Sequence, residues 1–470
     1  VSDRSATIPP MEAAVSRRTL TFRDTLRRLV RRGSRAHITK LMEKLRPEDL
    51  AVVMPDLTRG EQVKIFQILR EDYPEAAGHV LIELEPPERI EILRRMEPAE
   101  IAAILEHTPI DDAVALVDDL PPELKEPLLE LVEGTELEVV QSQLTYNDDT
   151  AGRIMDTEFF ALPETTTVRE AIEAIREQQE VEMIFYLYSV DARNHLVGVT
   201  SLRQLLLARP EKTLKEIMSR DLIKVETETD QEEVAHLAAR YDLLAIPVTD
   251  HRNRLVGIVT VDDIVDIFKD EATEDFYKMV GTSDDEILYQ RHPWKVAGIR
   301  LPWLLVNLVG LMCTGLLLGY FQTRFDGALF LLTFVPAIMG MGGNSGSQTS
   351  TIAVRGLATG RLRSESGGLW EFVRQQTEVG AIIGLTMGVL VAIAAFLLQK
   401  NPMLAVVVAG SLALAILAAS IVGALIPMIF QRFGIDPAIG SGPLVTTSSD
   451  VMGILIYFGL VTSAIRFILP

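Results

Sequence analysis

Beyond residue 300 the chain is dominated by apolar stretches, and their length restricts the fold more than any other feature. Five runs, at about 301–321, 328–354, 377–398, 403–430 and 443–469, are each long enough to cross a bilayer as a helix. In hydrocarbon every backbone donor and acceptor needs an internal partner, so such runs fold as helices. Five spans place the two ends of this region on opposite sides of the membrane. Lys295 and Arg300 precede the first run; Arg355, Arg361, Arg363 and Arg374 flank the second loop, and Arg432 lies in the fourth. The opposite loops carry only Arg324 and Lys400, with Arg466 at the tail. Basic residues collect on the cytoplasmic side. The residues before the first span are therefore expected in the cytoplasm and the C-terminus outside. No apolar run of the signal-peptide kind occurs in the first twenty residues. The lone Cys313 lies in the first span, so disulfides and thiolate metal sites are not expected.

Polar residues inside these runs are the candidates for function. Asp450 interrupts the last one, where a carboxylate costs roughly 2.5–3.5 kcal/mol and by default marks an ion or substrate path. Thr446 and Thr447, four and three residues before it, share its helical face and add oxygen ligands. An oxygen-only site within a membrane suggests a hard cation. In the second run, Gly340–Thr351 is rich in glycine and small polar residues. Small residues commonly signal close helix packing, but Asn344 and Gln348 are amides, costly in hydrocarbon unless satisfied. Glu378 lies near the start of the third run. At 1.5 Å per residue, Asp450, Glu378 and Asn344 fall at similar depth, in the inner third of the bilayer, and are expected to form one site.

Charge is unevenly spread. The chain carries −20 in total, and the 11 Lys/Arg and 6 Asp/Glu after residue 290 leave −25 for residues 1–290. Such a surface is a poor partner for nucleic acid. It serves solubility, or it repels itself until divalent cations bridge it.

The first twenty residues read as a flexible tail, and 21–145 as short amphipathic helices forming an all-α superhelical N domain. Pro and acids at the helix starts, as in Pro47-Glu48-Asp49 and Pro98-Ala99-Glu100, suit a first turn with unpaired N–H groups. His37, His79 and His107 lack metal-ligand spacing. An internal repeat follows: Ile154-Met155 is echoed by Ile217-Met218, and HLVGVTSLRQLL (195–206) by RLVGIVTVDDIV (254–265). Each copy reads strand, helix, strand, strand, helix. The pattern resembles a tandem cystathionine-β-synthase (CBS) pair, an α/β regulatory module that often binds adenine nucleotides. Its Ser/Thr-x-x-Asp motif, which contacts ribose, stands here as Thr260 and Asp263, so ATP is the candidate nucleotide. The first copy departs, with Ser201 and Gln204.

From 260 to 280 the chain reads as a helix connecting this pair to the membrane. Asp263, Asp266, Asp270 and Glu274 share one of its faces. Like charges at that spacing cost a few tenths of a kcal/mol per pair, so a solvated face or bound divalent cations must relieve them.

Taken together these features resemble the MgtE family of magnesium channels and transporters. The likeness is carried by 230–248, RLVGIVTVDDIVDIFKDEATED (254–275), GGNSGSQ (342–348), GIDPAIGSGPL (434–444) and SDVMGILIYF (449–458). It implies a homodimer with its pore on the two-fold axis, where Asp450 coordinates hydrated Mg2+. It also implies further pore contacts at Asp436 and Glu378. Cytosolic Mg2+ would bind at Asp230, Asp242, Asp263, Asp266, Glu271, Glu274 and Asp275, with Asp111 and Asp112 contributed by the helical domain. Where the family often has Ser-Asn-Pro before the last span, this chain has Ser441-Gly442-Pro443.

The expected organisation is a multidomain membrane protein. It has a helical N domain (21–145), a CBS pair (146–213 and 214–261), an acidic connecting helix (262–290) and a five-helix transmembrane domain (291–470). The expected function is Mg2+ transport in the inner or plasma membrane, shut off by cytosolic Mg2+. Mg2+ sheds water slowly, and a ring of carboxylates, amides and hydroxyls suits it in hydrated form. Transport of Co2+ or Mn2+ is the nearest rival, since oxygen ligands alone do not fix the metal. A non-conducting nucleotide-sensing receptor is a more distant one. No nucleophile–base pair, ligand triad or phosphate loop points to an enzyme.

Overall fold

The computed structural model describes residues 11–132, 138–177, 184–283, 286, 293–324, 329–362, 368–439 and 442–468. They form two compact units, Val1–Phe268 and Lys269–Pro470.

The first unit opens with a long helix, α1 (Met11–Arg32), followed by α2 (Arg35–Met42), α3 (Pro47–Val53), α4 (Arg59–Asp72), α5 (Pro74–Ile82), α6 (Pro86–Leu93), α7 (Pro98–Leu105), α8 (Ile110–Asp118), α9 (Pro122–Val132) and α10 (Glu138–Gln143). The expected tail at 1–20 is thus helical from Met11; residues 1–10 lie outside the described set. Proline occupies the first turn of α3, α5, α6 and α7, where its missing N–H costs nothing. One apolar core, running from Leu26 through Ile65, Leu81, Ile104 and Leu116 to Val140, holds these helices together. Glu61 is buried, which raises its pKa, yet the Thr58 N–H at 2.9 Å and Arg31 at 2.9 Å hold it down to about 2.

Two three-stranded sheets follow after α11 (Ala151–Ile154). Strands β1 (Ala161–Pro163), β2 (Tyr186–Val190) and β3 (Leu196–Ser201) form the first, with α12 (Val168–Glu177) crossing between β1 and β2 and α13 (Leu202–Leu207) after β3. The second repeats the order: α14 (Leu214–Ile217), β4 (Val225–Glu226), α15 (Gln231–Tyr241), β5 (Ala245–Thr249), β6 (Leu255–Thr260) and α16 (Val261–Val280). In each sheet the first pair is parallel and the second antiparallel. The β2–β3 and β5–β6 turns match residue for residue. Asp191 accepts from the Arg193 and His195 N–H groups, Asp250 from those of Arg252 and Arg254. Asn194 and Asn253 take the left-handed conformation that ends such turns. The Leu196 and Leu255 N–H groups then bond reciprocally to the Asn253 and Asn194 carbonyls, at 3.0 and 3.3 Å.

The repeat in sequence is not the repeat in packing. Met155, at the head of the first copy, packs on Gly257 of the second sheet, where an added Cβ would lie 2.6 Å from its sulfur. Met218 does the same to Gly198 of the first sheet. Each copy's leading segment therefore completes the other's core.

In the second unit, α17 (Pro293–Arg324), α18 (Val335–Ala358), α19 (Gly368–Gln399), α20 (Pro402–Arg432) and α21 (Pro443–Ile468) follow the end of α16. Four of these, α17, α19, α20 and α21, are long and apolar enough to cross a membrane. The fifth expected span is α18, whose run from Gly342 to Thr351 dilutes its apolarity. Helix α20 lies at the centre, packed on α18, α19 and α21, and α17 packs on α21. Gly384 and Gly388 of α19 meet the backbone of Ala413 and Ala409 on α20, so close approach of helices is what these glycines allow. Of the connecting segment expected at 262–290, residues 284, 285 and 287–290 lie outside the described set, as does Ser441.

Candidate cation sites

Asp450 sits in the second turn of α21, half-buried. Its helix reaches α18 through glycine: a Cβ on Gly343 would lie 3.8 Å from Asp450 Oδ1, and one on Gly346 would lie 2.9 Å from Ser449 Oγ. Among the described residues, no hydrogen bond or ion pair to the Asp450 carboxylate is formed. The hydroxyls beside it are mostly engaged. Thr446 Oγ1 donates to the carbonyls of Gly442 and Pro443, both at 3.1 Å. Thr447 Oγ1 donates to Asn307 Oδ1 of α17 at 3.3 Å. Asn307 is a polar residue that sequence reasoning passed over. Its signal was an amide within LLVNLVG, three residues before Gly310, and it is Gly310 that lets α17 come up against Thr447.

The other two expected members of this site lie differently. Asn344 and Gln348, four residues apart on α18, are both exposed on the single chain. Glu378 is exposed on α19, 3.4 Å from Arg374 one turn earlier, and α19 packs along α20. The chain thus brings the helix of Asn344, though not Glu378, beside Asp450.

A second acidic group forms where α16 ends in an ion pair. Lys278 Nζ lies 2.6 Å from Asp436 Oδ2, in the turn between α20 and α21, and 2.5 Å from Glu274 Oε1. Asp436 is fixed by its other oxygen, which accepts the Ala438 N–H at 2.8 Å. Asp275 beside them is pushed up to about 6 by burial and by the Asp436 charge, with Lys278 opposing.

The first unit contains a third. Asp111 and Asp112 in the first turn of α8, Asp156 after α11, and Asp262 and Asp263 at the start of α16 crowd one another electrostatically. Burial, then the Asp112 and Asp156 charges, drives the Asp111 pKa far up; burial and Asp111 do the same to Asp263. Asp112 is raised to about 7 and Asp156 to about 6, burial first in both. Arg89, bonded to Asp119 at 2.9 Å, offsets part of the load on Asp112. Asp111 Oδ1 is sealed from solvent with no hydrogen-bond partner. A buried carboxylate crowded by other carboxyls, with only the Asp111 and Asp112 backbone N–H groups opposing the rise in its pKa, suits a cation. Asp156 was not expected; the clue was an acid directly after Ile154-Met155 where the second copy has Ser219.

The remaining expected positions are spread out. Asp230 caps the start of α15, accepting the Glu232 N–H at 2.8 Å, and Asp242 ends the same helix in a left-handed conformation. They are twelve positions apart, roughly 18 Å along the axis. Asp266 is exposed, and Glu271 is partly buried on the same helix as Glu274. Among the described residues, no three Asp, Glu, His or Cys side chains are placed to ligate one bare ion together. The ribose candidates are locally engaged: Asp263 Oδ2 accepts from Thr260 Oγ1 at 2.7 Å and from its N–H at 3.2 Å. Ser201 and Gln204 form the equivalent cap in the first copy, with Ser201 N–H donating to Gln204 Oε1 at 3.0 Å. The motif is a helix start in both copies before it is anything else.

Comparison with known proteins agrees with this division. The profile described as the MgtE intracellular N domain matches residues 24–149, CBS domain profiles match 151–211 and 214–270, and that described as a divalent cation transporter (MgtE) matches 335–460. The magnesium transporter MgtE of Bacillus subtilis is 33% identical over 440 residues, 93% of this chain and 96% of that protein. That of Thermus thermophilus is 35% identical over 443 residues, 93% of this chain and 97% of the relative. That of Enterococcus faecalis is 37% identical over 329 residues, 70% and 72% of the two chains. Similarity at this level, through the helical domain, the CBS pair and the apolar helices alike, means that the chain belongs to the MgtE family.

Proposed function

We propose that the protein conducts Mg2+ across the membrane past Asp450 and that cytosolic Mg2+ closes it. The observation that carries the transport reading is the unpaired Asp450 carboxylate within an apolar helix of spanning length. Thr446 is turned to backbone and Thr447 to Asn307, while among the described residues the buried Ser449 Oγ has no partner; the carboxylate is the charged ligand of this group. One carboxylate per chain, reached through water, suits an ion that keeps most of its hydration shell. The relatives' names favour magnesium over other divalent ions.

Closure rests on the first unit. Ionised together, Asp111, Asp112 and Asp263 repel; a hydrated divalent ion between α8 and the head of α16 relieves them. Mg2+ would then favour whichever arrangement brings the carboxylates together, and the ion becomes its own inhibitor by preferential binding to that state. Asp230, Asp242, Asp266 and Glu271 would serve ions held between chains or elements. ATP bound near Thr260 would share Asp263 with that acidic group.

A homodimer is supported by α18. Asn344 and Gln348 are amides on one face of an otherwise membrane-embedded helix, and a second chain covering them avoids the cost of facing lipid. The pattern of basic residues supports a cytoplasmic first unit and an external C-terminus.

The test is Mg2+ flux into proteoliposomes with Asp450→Ala and Asp450→Asn. Loss of at least tenfold in both, with folding intact, is expected. Undiminished flux would end the proposal.

A further inference from the structure

We propose that Lys278 is a built-in cation that clasps the end of α16 to the α20–α21 turn without any metal. This goes beyond the metal-bridged closure above and rests on that reading only for its flux measurement. Three observations carry it, all within the second unit. The ammonium is shared between Asp436, 158 residues away in sequence, and Glu274, one helical turn back, at 2.6 and 2.5 Å. Lys278 and Asp436 are partly shielded from solvent, each 28% exposed, while Glu274 is 43% exposed. Asp436 cannot swing freely, because its Oδ1 is held by the Ala438 N–H at 2.8 Å.

The second point of the clasp is backbone. At Gly442, the residue before α21, a Cβ would fall far inside contact distance of the Met279 carbonyl oxygen. Met279 is the neighbour of Lys278. The absence of a side chain at Gly442 is therefore what admits the end of α16. Ion pair and backbone contact lie one residue apart and fasten the same helical turn.

The charges explain what a lysine does here. Glu274, Asp275 and Asp436 lie together, and Asp275 also feels Arg355. With Lys278 present the end of α16 stays docked when no divalent ion is bound. Without it, three carboxylates would face one another and push the helix away. The docked end of α16 favours the closed arrangement, so Lys278 helps to set the Mg2+ concentration at which the channel closes.

The experiment uses the full-length protein, washed free of divalent ions and held in lipid nanodiscs. Hydrogen exchange of peptides covering 270–281 is compared for wild type, Lys278→Met, Lys278→Arg and Asp436→Asn. Exchange roughly tenfold faster is expected in Lys278→Met and in Asp436→Asn, with Lys278→Arg close to wild type. The double variant Lys278→Met/Asp436→Asn should exchange no faster than either single one. Wild-type exchange in Lys278→Met, or fully additive effects in the double variant, would overturn the clasp. In proteoliposomes the Mg2+ concentration for half-inhibition should rise several-fold in Lys278→Met. If wild-type flux proves indifferent to Mg2+, the gating proposal fails while the metal-free exchange result still decides the clasp.

Discussion

The Asp450 carboxylate rests against Gly343: a Cβ there would lie 3.8 Å from Oδ1, ordinary contact distance. One turn along the same helix, Gly346 presses on Ser449, and a Cβ would lie only 2.9 Å from the serine oxygen. The seam between α18 and α21 is therefore tight beside the carboxylate and looser at it. A hydrated ion needs that kind of asymmetry, with rigid walls and room at the ligand.

The glycines of this seam should differ in tolerance. Gly423 of α20 faces the Gly346 carbonyl oxygen inside contact distance, so Gly423→Ala should cost about 1–3 kcal/mol through overpacking. Gly343→Ala should leave stability within about 1 kcal/mol of wild type and alter flux instead. Calorimetric unfolding in detergent separates the two; equal melting temperatures for both variants would contradict the packing described.

Asn307 should matter to conduction more than to folding. Replacing it with Leu removes the partner of Thr447 at a cost of about 1 kcal/mol. Mg2+ flux is expected to fall roughly two- to tenfold while the protein still purifies as a folded species. Wild-type flux in Asn307→Leu would show that the Thr447 hydroxyl needs no anchoring.

The acidic group of the first unit sets a pH dependence whose sign follows from the raised pKa values. In the folded state Asp111, Asp112 and Asp263 keep protons that the unfolded chain loses near pH 4. The folded form binds more protons over that window, so the contribution of these groups to stability is full below about pH 4 and is lost as pH rises through about 7 to 8. Without divalent ions the melting temperature should therefore drop between pH 5 and pH 8, and Mg2+ should restore it at pH 8 but scarcely at pH 5. Asp263→Asn keeps an acceptor for Thr260 and should flatten the dependence. A variant that follows the wild-type curve would remove Asp263 from the group.

Gly442→Ala offers a separate probe of the mouth. The added methyl group overlaps the Met279 carbonyl, so the end of α16 must shift by tenths of an ångström or more. Half-inhibition by Mg2+ should move upward, as measured by flux at graded internal Mg2+. An unchanged inhibition curve would mean that the backbone contact is incidental.

Much of the design can be read from the chain alone. Apolar length marks the membrane helices, and the cost of a carboxylate there singles out Asp450. Acids spaced three, four and four residues apart mark one face of α16, and the echo of VGVTS in VGIVT marks the twin sheets. Equal depth along separate helices says nothing of which faces meet, and on the single chain Glu378 stands exposed beside Arg374. Asp156 and Asn307 were missed for a related reason: each is an isolated polar residue whose importance comes from partners distant in sequence.

Sequence by itself thus determined the kind of protein: the membrane helices, the acidic half, the paired sheets and the one expensive carboxylate. These follow from local period, composition and transfer energy, which need no knowledge of neighbours. Only the tertiary structure decided which carboxylates share space and which cation meets them. Asp111 meets Asp263 across 152 positions and Lys278 meets Asp436 across 158, because helix packing closes those separations. Between exposed charges, interaction is largely screened beyond roughly 8–10 Å, so pairings of that kind exist only once the chain has folded.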